Sequence, residues 1–149
     1  PAYHAAWVQV MRAKLGLAGA QAEDATLAED FLKAIQGVDW TTAFRRLAGA
    51  VTVDAGAVGD AAALRAWLPR WRARLRPDAE TALLAANPAV IPRNHLVEAA
   101  LAAATAGDMA PFEALLAAIR DPFGDTTGRE GFSLPAPQGF GDYVTFCGT

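Results

Sequence analysis

Apolar residues recur along most of this chain at the three- and four-residue intervals of an α-helix, and glycine, proline or small polar residues interrupt them at intervals. Tyr3, Trp7, Val10, Met11 and Leu15 share that spacing and Gly16 supplies a stop, so a first helix is expected there. Asp24 or Thr26 can cap a second helix, whose Leu27, Phe31, Leu32 and Ile35 lie on one face and which ends at Gly37. Asp39-Trp40-Thr41-Thr42 offers cap chemistry ahead of Phe44, Leu47, Ala48 and Val51, predicting a third helix that ends near Ala50. Val51 to Asp60, rich in Gly, Val and Ala, reads as a linker or a brief extended turn.

From Asp60 a fourth helix gathers Leu64, Trp67, Leu68, Trp71 and Leu75 onto about a third of the helical circumference. Arg65, Arg72 and Arg76 flank this stripe on one margin and Arg70 and Arg74 on the other. Pro69 falls on the opposite, solvent side, where its missing N–H would kink the helix outward. Asp78 can cap a short fifth helix carrying Leu83 and Leu84.

The stretch from Asn87 to Asp108 is the most heavily punctuated. Pro88 opens it, Pro92 holds Ile91 extended, and Asn94 can cap a helix whose Val97, Ala100, Leu101 and Ala104 form a narrow face of mostly small residues before Gly107 stops it. Asp108 and Pro111 then begin a last helix with Phe112, Leu115, Leu116 and Ile119 on one face. From Asp121 onward prolines and glycines argue against regular structure, leaving only Tyr143 to Phe146 able to form a short strand or extended segment. The expected fold is all-α, a helical domain of about six or seven helices over residues 1–120 followed by an irregular tail over 121–149.

Composition narrows the class. The chain has 149 residues, 53% hydrophobic and 19% charged, and no apolar run approaches the ~20 residues of a membrane helix. A net charge of −3 argues against nucleic acid as a general partner, although it leaves room for a local basic patch. A single cysteine, Cys147, cannot form an internal disulfide, and a reducing compartment is the simpler inference. The start at Pro1, with no methionine and no leader, suggests a piece of something longer.

Candidate chemistry is sparse. No glycine-rich phosphate loop, phosphate-pairing lysine or set of metal-binding acids is arranged here. Asp121-Pro122-Phe123-Gly124 superficially resembles the metal-binding Asp-Phe-Gly of kinases, but the inserted proline breaks the motif and a helix-ending turn is the better reading. Lys14 and Lys33 fall on predicted helices, where solvent-facing charge is ordinary. His4 and His95 lack a second ligand at metal-binding spacing. His95, beside Arg93 at the first turn of a predicted helix, either bonds an adjacent loop or makes a functional contact. The arginines of the fourth helix could meet phosphates while its indoles stack on bases. Arginines on both margins of a buried tryptophan stripe, however, are also what snorkelling side chains look like. Cys147 is either incidental or a thiol able to exchange with a partner cysteine.

Met11-Arg12-Ala13-Lys14-Leu15-Gly16-Leu17, Asp39 to Leu47, Trp71 to Leu75, Asn87-Pro88, Arg93-Asn94-His95, Glu98, Gly107-Asp108 and Cys147-Gly148-Thr149, in that order, resemble the C-terminal region of the selenoprotein O (SelO/YdiU) family. The resemblance implies a bacterial, cytoplasmic pseudokinase that binds ATP with Mg and transfers AMP to protein hydroxyl groups. This chain would be the helical part packed on an upstream kinase-like core, with ATP and metal held upstream and no catalytic, cofactor-binding or metal residue of its own. Cys147 would match the family's redox cysteine, its partner cysteine lying outside this chain. Two other readings use the residues alone: an independent helical module binding protein or nucleic acid through the Arg65 to Arg76 helix, and a thiol-redox protein, for which a resolving cysteine is lacking.

Overall fold

A computed structural model describes residues 2–52 and 62–140. Seven α-helices follow in order: α1 (Ala2–Lys14), α2 (Asp24–Ala34), α3 (Trp40–Ala50), α4 (Ala62–Arg72), α5 (Ala79–Ala86), α6 (Asn94–Thr105) and α7 (Ala110–Arg120). A 3-10 turn, Glu130–Phe132, interrupts the part of the tail that was expected to be irregular. Among the described residues there is no strand, only an isolated antiparallel bridge between Leu17 and Leu75, so the all-α expectation holds. Most of the predicted linker after Val51, the predicted start at Asp60 and the segment from Tyr143 to Phe146 lie outside the described residues. The chain divides into two compact units, Pro1–Ala89 and Val90–Thr149.

The first unit holds the main core. In it α1 packs on α2 and α5, α2 on α4, and α3 on α5. Of the stripe foreseen on α4, Leu64, Trp67, Leu68 and Trp71 face inward, but the helix ends at Arg72 and Leu75 lies half-buried beyond it. Phe31 of α2 lies 4.7 Å from Trp67 and 5.0 Å from Phe44 of α3, and the two indoles stack at 5.2 Å. A buried indole N–H needs an acceptor. Trp67 Nε1 donates to Leu27 O (2.8 Å) and Trp71 Nε1 to Leu15 O (2.7 Å), so the pair ties α4 to α2 and to the end of α1. Pro69 stands on the exposed side of α4, as its position on the helical wheel requires. On α1 the inward face is Val8 and Met11, continued by buried Leu15 just past its end, while Tyr3 is 85% exposed and Val10 56%, so the apolar stripe of that helix extends beyond its buried face.

Asp24 departs from the expected cap. Glu23 occupies the N-cap position without a side-chain bond, and Asp24 is the first helical residue. Its carboxylate, 1% exposed, accepts the Gln21 N–H (2.9 Å), Arg12 Nε (2.6 Å) and Arg74 Nη2 (2.9 Å). Two guanidinium groups from distant parts of the chain outcompete a capping role, and the pairing joins α1, α2 and the segment after α4. Burial alone would push this carboxyl up. The hydrogen bonds from Gln21, Arg12 and Arg74, with the charge of Arg74, outweigh it and hold the carboxyl below its ordinary value.

The remaining helix starts divide. Asp39 caps α3 as foreseen, its Oδ1 accepting Thr42 N–H at 2.8 Å. Asp78 sits at the N-cap of α5 but makes no cap bond, because its carboxylate takes Arg76 Nε instead. The expected Asn94 cap is displaced by one residue: Arg93 is the extended N-cap of α6, its carbonyl accepting Leu96 and Val97 N–H, and Asn94 is already helical. Helix ends follow the glycines more closely. At α1 and α6 the chain closes with paired bonds, Leu17 N to Arg12 O with Gly16 N to Ala13 O, and Asp108 N to Ala103 O with Gly107 N to Ala104 O. Gly16 and Gly107 have φ of +64° and +93°, which L-residues with a Cβ resist.

Replacing Asp24 with Asn leaves two partly buried guanidinium groups short of a charge, and a loss of about 3 kcal/mol is expected in urea unfolding at pH 7. Because the folded carboxyl titrates lower than the unfolded one, near 3.9, the carboxylate's contribution is complete above that value. It disappears as the pH falls through the lower folded value, so wild type and Asp24→Asn converge in acid. Gly107→Ala meets open space and costs only the backbone strain, about 1 kcal/mol. Gly16→Ala adds a Cβ 3.1 Å from Leu83 Cγ to similar strain, so its loss in the same assay exceeds that of Gly107→Ala.

Candidate functional site

Arg93 and His95 are brought together in the second unit. Pro92 and the extended Arg93 deliver the chain into α6, and the first turn of that helix carries His95. Arg93 is 9% exposed, and its Nη2 donates to Ser133 O at 3.2 Å, holding the tail against the start of the helix. The His95 ring meets Phe140 edge-on, with centroids 5.7 Å apart and planes at 71°. Its Nδ1 is buried with no hydrogen-bond partner among the described residues. Ile91, Pro92, Arg93, Asn94, His95, Ala136 and Phe140 line a shallow, open cleft. The two residues thus meet the tail there, Arg93 through a carbonyl and His95 through a ring. Cys147 lies outside the described residues.

The Asp-Pro-Phe-Gly segment is occupied by an arginine. Arg129 Nη2 donates to Asp121 Oδ2 (3.0 Å), Nη1 to Ala118 O near the end of α7 (3.2 Å), and Nε to Asp125 O (2.7 Å). Gly124 lies so close to this pair that a Cβ there would fall 1.9 Å from Asp121 Oδ2 and 2.8 Å from Arg129 Nη2. The segment is a helix-ending turn fastened by one guanidinium. Nothing in the spacing of Arg129 announced this role. It follows only once the loop folds back on α7.

The arginines around α4 are engaged within the first unit. Arg70 pairs with Asp30 at 2.8 Å, and Arg72 reaches Ala50 O through Nε (3.1 Å) and Nη2 (2.9 Å). Arg74 bonds Ala18 O and Asp24, and Arg76 pairs with Asp78. These arginines flank the tryptophan stripe, and Arg72 and Arg74 carry their heads to buried acceptors where simple snorkelling would leave them in water. Lys14 differs from a simple solvent-facing lysine: its Nζ lies 4.7 Å from the Phe44 centroid, and burial lowers its pKa. Lys33 is exposed near Asp30.

Asn87 and Asp24, missed as buried polar anchors, organise the first unit. Asn87 is fully buried, and its Nδ2 donates to Lys14 O (2.8 Å) and Leu83 O (3.1 Å), while Arg45 Nη1 caps the end of α5 at Leu84 O and Asn87 O. The signal available in the sequence was a polar residue next to a proline at a helix end, where exposed carbonyls need donors. Among the described residues no three His, Cys, Asp or Glu side chains gather to hold a metal ion. No helix of the described chain is long and apolar enough to cross a membrane.

No family model matches the chain. Over 99% of its length, however, it aligns with curated bacterial proteins carrying the name protein nucleotidyltransferase. These include one from Cereibacter sphaeroides strain KD131 at 60% identity, one from Mycolicibacterium paratuberculosis at 47% and one from Pseudarthrobacter chlorophenolicus at 46%. The alignment covers 32% of each relative, so the chain spans about a third of the proteins it matches. All three bear the further name YdiU, and the chain belongs to the SelO/YdiU family.

Two substitutions probe the tail's attachments. Arg93→Ala removes a buried guanidinium from Ser133 O and is expected to speed amide hydrogen exchange through residues 130–140 while leaving the first unit's exchange unchanged. Gly124→Ala is expected to displace the Asp121 carboxylate from Arg129. The double variant Asp121→Ala with Gly124→Ala, which removes the obstructing group, should then lose less stability than the two single losses added.

Proposed function

We propose that this chain is the C-terminal helical part of a SelO-type protein adenylyltransferase, a scaffold and redox tail for AMP transfer from ATP to protein hydroxyl groups. The observation that carries this reading is the near-complete alignment with about a third of each curated nucleotidyltransferase. The chemistry of the chain's own residues supports it from the other direction. Arg70, Arg72 and Arg74 are spent on carbonyls and carboxylates, and among the described residues no three acids, histidines or cysteines converge on a metal position; in this reading the nucleotide and Mg are held elsewhere in the longer protein. In that protein the partners of this part are the kinase-like core and, through it, hydroxyl-bearing protein substrates, in the bacterial cytoplasm. Cys147 is the redox thiol in this reading, paired with a cysteine outside this chain.

The test uses the Cereibacter sphaeroides relative in three forms: whole, lacking the matched third, and the present chain alone, each incubated with ATP labelled in the adenylate, Mg and a protein acceptor. The whole protein is expected to transfer label, the chain alone none, and the shortened protein less than the whole. Label transfer by these 149 residues alone overturns the reading, as does an unlabelled acceptor with the whole protein.

A further inference from the structure

We draw no further inference here: the strongest candidate, the apolar groove between α6 and α7 lined by Val97, Leu101, Phe112, Leu116 and Ile119, is an unpartnered helix face, and nothing in the structure shows what covers it.

Discussion

Two indoles, one turn apart on α4, hold the first unit in register. Each satisfies two demands at once: its ring fills the aromatic cluster around Phe31, and its N–H finds a backbone carbonyl on another element. Dispersion and burial have no direction, so many packings of Leu and Phe would serve them equally. The two indole hydrogen bonds do have direction. They place α4 against Leu27 on one side and Leu15 on the other, which leaves the helix little freedom to slide or rotate. The arginines on its margins follow from that placement, since Arg72 and Arg74 emerge where Ala50, Ala18 and Asp24 present acceptors.

Much of this was legible in the residues. Among the described residues the helices follow the apolar periodicity, although α4 ends at Arg72, short of the foreseen Leu75, and the glycine stops at Gly16 and Gly107 are matched by left-handed φ and paired closing bonds. The starts were harder to read. A cap is a local bond, and it forms only when nothing stronger competes for the same oxygen. Asp39 keeps an oxygen for the Thr42 N–H, whereas Asp24 meets Arg12 twelve residues back and Arg74 fifty residues on. Such partners are invisible until the helices pack. The apolar stripes of α1 and α7 were equally visible, yet Tyr3 and Phe112 remain at the surface, because periodicity marks which face is apolar and not how much of it is covered.

The candidate site was legible in part. Arg93 and His95 stood out as polar residues at a helix start, and the fold does gather them into one cleft with Phe140. What they contact could not be read, because Ser133 and Phe140 lie 40 and 45 residues away in a stretch with almost no periodicity. Family membership rested instead on an ordered series of short matches, and it survives comparison with whole curated proteins over nearly the full chain. Such a signal carries ancestry well.

Burial and exposed charge respond differently to the medium. The first unit rests on an aromatic core closed to water, while the turn after α7 depends on Arg129, whose guanidinium gathers Ala118 O, Asp121 and Asp125 O, with the Asp121 side chain 67% exposed. Exposed charge pairs are screened over a Debye length of about 8 Å at physiological ionic strength, and burial is not. Dissolved salt therefore loosens the Arg129–Asp121 pair beyond Arg120, and the exposed Arg70–Asp30 and Arg76–Asp78 pairs of the first unit, well before it reaches the tryptophans.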